Sequence, residues 1–136
     1  MKVHQDQFEI KTSQRAEAVD VTSKIEDAVK KSKIKNGICT VFVPHATAAV
    51  ILNENEPGLV DDIINKVEKD FPAGAGYEHD RIDDNAHSHL ASGFIGQSRT
   101  IPVNDSRLLR GTWQNVFVLE LDGPRNRKVV VTVIGE

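Results

Sequence analysis

Two β-branched runs near the C-terminus, Val116–Leu121 and Lys128–Ile134, most constrain what this chain can fold into. Side chains branched at Cβ pack well on a pleated surface and lose freedom in a helix, so both runs read as strands. Between them lies Asp122-Gly123-Pro124-Arg125-Asn126-Arg127, rich in turn formers and of hairpin length. Val129-Val130-Val131 breaks the alternation of a half-solvated strand. It predicts burial on both faces, as at a subunit interface.

The other periodicities complete the plan. Gln7–Lys11 alternates as a short strand, and Ser13–Ala18 reads as a polar connector. Val21, Ile25, Val29 and Ile34 keep helical spacing; Asp20 can cap this helix, and Ser23 with Glu26 has capping-box spacing. Lys30, Lys31, Lys33 and Lys35 crowd the end that the helix dipole favours for cations, and Asn36-Gly37 supplies a left-handed stop. Ile38–Val43 and Ala48–Leu52 read as strands. Pro57-Gly58 opens a second helix whose apolar face is Leu59, Ile63, Val67 and Phe71, and Pro72 closes it. Residues 73–84 form an aperiodic, charged loop; Ala86–Ile95 fits either a strand or a short helix, and Thr100–Val103 a short strand. The expectation is one α+β domain over residues 1–136, a mostly antiparallel sheet of six or so strands with two helices packed on one face.

Composition narrows the function classes. With 17 Lys plus Arg against 20 Asp plus Glu, the net charge of -3 offers no global attraction to nucleic acid or to an anionic membrane. The single Cys39 excludes an internal disulfide and paired-cysteine zinc motifs. MKVHQDQFEI lacks the apolar core of a secretion signal, and no stretch of about 18 apolar residues occurs. The reading is a cytoplasmic protein without nucleic-acid or membrane partners. No Walker A, GxGxxG or GxSxG pattern is present.

Histidine is the loudest chemical signal. His79, His87 and His89 fall close together beside Glu78, Asp80, Asp83 and Asp84. On a strand, His87 and His89 share a side and can share a metal, whereas on a helix they diverge by about 200° and only one can be a ligand. Solvated loop histidines among acids are the alternative. His45 follows Pro44 at a strand end among small residues, where a ligand can approach; a capped core histidine is the bland reading. Three neutral imidazoles from separate segments would make an open, zinc-like site. Glu54 at the next strand end is a candidate general base or a partner that orients an imidazole, and Asn53 a donor to a substrate oxygen; a plain polar turn is the alternative. Asp62 sits between Leu59 and Ile63 on the second helix, an inward-facing candidate with helix-surface solvation as the default alternative. Trp113 reads as a core or interface anchor, and Cys39 as a buried thiol.

HATAAVILNENEP, YEHD, NAHSHLASGFIGQS, IPV, GTWQ, DGPR and the terminal VTVIGE together resemble the YjbQ-type family, to which a secondary thiamine-phosphate synthase activity is attributed. The likeness runs nearly end to end. It implies a compact α+β homotrimer with histidines grouped near a subunit boundary as a metal site. By motif, His45, His79 and His89 match the recurrent histidines, and Asn53, Glu54, Asp62, Gln114, Glu120 and Arg127 fall on typical family positions. The implied reaction joins hydroxymethylpyrimidine diphosphate to a thiazole phosphate. Diphosphate departure usually calls for magnesium on carboxylates, whereas imidazoles select zinc and suit water activation. The expected cofactor is therefore a divalent metal, zinc first and magnesium second. His45, His79 and His89 are the candidate ligands, Glu54, Asn53 and Asp62 the catalytic candidates, and Arg127 and Gln114 the substrate contacts. Zinc-assisted hydrolysis of a phosphorylated or acylated metabolite is the competing enzyme reading, and a trimeric metal- or metabolite-binding protein the non-enzymatic one.

Overall fold

Alternation along the strands sorts the apolar residues into two packed sheets. The computed structural model describes Met1–Glu136. In chain order it contains β1 (Lys2–Lys11), β2 (Glu17–Asp20), α1 (Thr22–Ser32), β3 (Gly37–Phe42), β4 (Ala48–Asn53), α2 (Pro57–Asp70), a 3-10 turn (Glu78–Arg81), α3 (Ala86–Ile95), β5 (Ser98–Asn104), β6 (Arg107–Leu108), β7 (Asn115–Glu120) and β8 (Asn126–Gly135). One sheet runs β1-β8-β3-β5-β6 and the other β2-β7-β4, with every pair antiparallel. The fold class is as expected, but there are two sheets rather than one, and α3 adds a helix.

The core lies between the sheets. Cys39 and Val41 of β3 and Val129, Val131 and Val133 of β8 meet Val50 of β4 and Val116 and Val118 of β7, and α1 sends Ile25 and Val29 into the same cluster together with Val21 just before it. On the opposite face of the three-stranded sheet, Ala49, Leu119 and Leu121 take α3 through Ala91 and α2 through Ile63, Val67 and Phe71. No α2 residue is fully buried, so this helix lies on the surface of the domain. The outer face of the five-stranded sheet has no helix; Ile38 and Phe42 are exposed there, while of the Val129–Val131 run Val130 is half-buried and only Val129 and Val131 point inward.

Several local expectations are corrected. Glu26 does not form a capping box but binds Arg110, and Asp20 instead accepts from the Thr22 backbone N–H (3.0 Å) and hydroxyl (2.6 Å). The left-handed residue after α1 is Lys33 at φ 58°, not Gly37. Gly37 is required for another reason: a Cβ there would lie 1.9 Å from the Ile134 carbonyl oxygen. The Ser13–Ala18 connector already contains the start of β2. The 122–127 segment is no hairpin, because β7 and β8 belong to different sheets and the chain crosses between them there. No helix is long and apolar enough to cross a membrane.

Candidate functional site

The crossover from β7 to β8 organises a polar network at one end of the sandwich. Glu120 closes β7 on its inner face, and Arg127 opens β8 on its own inner face, so the two side chains meet between the sheets, both shielded from solvent. Arg127 Nε lies 3.0 and 3.1 Å from the two Glu120 oxygens, and Nη2 also donates to the Thr47 carbonyl and hydroxyl. Thr12 donates its hydroxyl to Glu120 at 2.7 Å. Burial alone would raise the Glu120 carboxyl, but the bonds from Arg127 and Thr12 hold it below the usual carboxylate range.

Two residues along the crossover, Asp122 extends the network toward the histidines. It accepts from Asn85 Nδ2 and from Arg125 Nη2, each at 2.8 Å. Burial would raise this carboxyl too, yet those bonds and the charges of Arg125 and Arg15 keep it below its ordinary value. With its amide NH2 turned to Asp122, Asn85 presents Oδ1 to His79 Nε2 at 3.1 Å. A carbonyl oxygen only accepts, so His79 carries its proton on Nε2 and leaves the Nδ1 lone pair open. The His79 and His89 rings stand edge to face with centroids 4.8 Å apart. An anchored imidazole with a free second nitrogen is how proteins prepare a metal ligand.

The third expected histidine is held differently. His45 Nε2 accepts the Lys128 backbone N–H at 2.8 Å, so its lone pair is committed within the chain. Burial and then the Arg127 charge lower its pKa, favouring the neutral ring. No set of three His, Cys, Asp or Glu side chains in this chain is grouped to hold a metal ion. The helix over Ala86–Ile95 settles the sequence ambiguity: His87 diverges from His89 and instead meets Arg15, whose Nη2 lies 2.8 Å from its Nε2.

The remaining candidates sit elsewhere. Asn53 pairs in register with Asn115, at the end of the three-stranded sheet opposite the Ala48–Glu120 pair. Five residues at about 3.3 Å each put the two ends about 16 Å apart. Asn53 accepts from the Glu54 backbone N–H, and Gln114 Oε1 accepts from the Gly111 N–H, so both shape turns at that far end. Asp62 is exposed on α2 rather than facing inward, and Trp113, 70% exposed, is no core anchor. Arg127 has Nε and Nη2 committed to protein, which leaves Nη1 for any ligand. Sequence reading missed Asn85, Asp122 and Thr12. The signal for Glu120 was available, since a lone acid inside Val-Phe-Val-Leu-Glu-Leu demands a buried partner.

Fold and site together define a two-sheet α+β protein, with α1 packed into the core between the sheets and α2 and α3 on the outer face of the smaller sheet, and with an imidazole pair supported by a buried Asn–Asp relay. The chain belongs to the YjbQ-like family: the family model described as "UPF0047 protein YjbQ-like" matches residues 6–136. A UPF0047 protein of Methanothermobacter thermautotrophicus is 43% identical over 136 residues, covering 100% of this chain and 95% of the relative. A crystal structure of a "YbjQ-like protein of unknown function" from Sulfolobus solfataricus P2 superposes with a TM-score of 0.98 at 47% identity, covering 99% of both chains. A hypothetical protein from Aeropyrum pernix K1 gives 0.94 at 42% identity, covering 100% of both.

Proposed function

We propose that this chain is a subunit of a metal-dependent small-molecule enzyme, a homotrimer in which His79 and His89 hold a divalent ion and residues of a neighbouring copy complete the site. The observation that carries the reading is the His79–His89 pair, with the His79 Nδ1 lone pair left open by the Asn85–Asp122 relay. The donor chemistry fits zinc better than magnesium, because neutral imidazoles suit borderline ions and magnesium prefers oxygen. When bound, such an ion supplies Lewis acidity toward a carbonyl or phosphoryl oxygen or a coordinated water.

The chain's own residues would do the rest. Asn85 and Asp122 fix the His79 tautomer, and Arg127 Nη1 offers a donor to an anionic substrate. Separation of Glu54, Asn53 and Gln114 from the histidines favours a shared site, with these residues meeting the ion across a subunit boundary. His45 would join only by giving up its bond to Lys128. Asp62 stays a candidate for the same boundary because it is exposed. The reaction we propose first, which the resemblance of the sequence motifs implies, is the coupling of hydroxymethylpyrimidine diphosphate with thiazole phosphate. Zinc-assisted hydrolysis is the second reading, favoured by an imidazole donor pair.

The test is metal content of untagged protein purified without chelator, together with sedimentation. About one zinc per chain in a trimer, lost in His79→Ala and His89→Ala, supports the reading. No uptake by the assembled protein when zinc is offered overturns it. A product screen then separates the reactions: thiamine phosphate appearing only with both precursors marks coupling, and loss of one substrate alone marks hydrolysis.

A further inference from the structure

A cavity of about 320 Å³ opens between α2 and α3, apart from the histidine pair. Its walls are mostly apolar: Ile64 and Val67 come from α2, Phe71 from the cap that ends it, Ala91 from α3, and Leu121 from just beyond β7. His79, His89, Asn85 and Glu54 do not line it.

The polar groups on this lining state what a ligand must bring. Arg15 reaches it from the connector before β2, more than half exposed, with Nη2 on His87 Nε2 at 2.8 Å. Its Nη1 lies 3.8 Å from Asp122, a carboxylate already bonded by Arg125 and Asn85, so the Arg15 guanidinium retains donors to spend. Because arginine only donates, His87 Nε2 is the accepting nitrogen and Nδ1 carries the hydrogen. That Nδ1 is buried with no hydrogen-bond partner. Of the polar groups on the lining, Arg15 is the exposed donor with capacity to spend, so a ligand seated against it must present acceptor oxygens, while the Glu68 carboxylate is the opposing acceptor. Glu68 on the same lining repels a second negative charge, which favours a carboxylate over a phosphate dianion. The volume lies at the small end of ligand pockets, which run from about 300 to 1,000 Å³.

We infer that this cavity binds a small monocarboxylate with an apolar body, its carboxylate on Arg15 and its body against Ile64, Val67, Phe71 and Leu121. The site does not depend on the metal reading and is expected to bind whether or not zinc is supplied.

Saturation-transfer NMR and calorimetry with hexanoate and 3-phenylpropionate test it, with hexyl phosphate and hexylamine as counter-probes. Both carboxylates should bind, more tightly than either counter-probe. Arg15→Gln, at an exposed position, should weaken them about tenfold or more while the far-ultraviolet spectrum stays unchanged. Ile64→Trp, which fills the cavity from a half-buried helix face, should abolish binding. Absence of carboxylate binding at about 10 mM, a dissociation constant near the weak limit of specific recognition, overturns the inference. So does equal or tighter binding of hexyl phosphate, or an Arg15→Gln affinity within about twofold of the parent.

Discussion

Arg127 Nε lies 3.0 Å from Oε1 and 3.1 Å from Oε2 of Glu120, and both side chains are shut between the two sheets. Removing one member leaves a buried charge without its counter-ion. Arg127→Met is therefore expected to lower the unfolding free energy by about 3–5 kcal/mol, and Glu120→Leu combined with Arg127→Met to restore much of it. Urea midpoints of the two variants check this; equal losses in single and double variants would refute it.

The carboxyls of Glu120, Asp122 and Asp20 all sit below their ordinary pKa in the folded chain. For Asp20, burial pulls upward, but hydrogen bonds from Thr22, Asn115 and Asn55 outweigh it. A depressed folded pKa means the unfolded chain binds protons first as pH falls. The stabilisation is thus complete above the unfolded values, about 4, and is lost as pH drops through the lower folded ones. Urea midpoints should decline modestly between pH 7 and 5, where the depressed His45 pKa makes the unfolded chain bind a proton first, and fall steeply below about 4 as the carboxylate contribution is lost. Asp20→Asn should flatten part of that descent.

Cys39 is sealed in β3, and burial pushes its thiol up to about 11. The thiolate is the reactive form, so labelling by a disulfide reagent at pH 8 should be negligible for the native protein and complete in urea. Rapid native labelling would mean that the inner face of β3 opens.

Two glycines should respond to alanine with opposite signs. Gly37→Ala drives a Cβ into the Ile134 carbonyl, a backbone atom that cannot rotate aside, and should cost about 1–3 kcal/mol or more. Gly93 lies inside α3 with nothing within 4 Å of an added Cβ, so Gly93→Ala should add about 0.5–1 kcal/mol by restricting the unfolded chain. Melting temperatures decide both.

Local chemistry made parts of this structure readable before any coordinates. Pro57 and Pro72 bracket α2 as their types suggest, with the Glu56 side chain accepting from Gly58 and Leu59 at its start. The 122–127 crossover was misread because loop length is local, whereas the sheet a strand joins depends on partners such as Phe8 for Val129. Ala86–Ile95 could not be assigned from its pattern, since small residues and histidines leave both periods open. The histidines stood out in the sequence, yet the relay that orients His79 did not, because Asn85 and Asp122 are 37 positions apart.

β1 and β8 pair along their full ten-residue lengths, from Lys2 beside Gly135 to Lys11 beside Asn126. β8 also pairs with β3, so it is the strand that joins β1 to the rest of the larger sheet. Every residue through β8 must leave the ribosome before that sheet can close, and until then β1 waits unpaired and β3, already paired to β5, keeps one open edge. Such long-range pairing makes for slow folding and a newborn chain that depends on protection from aggregation.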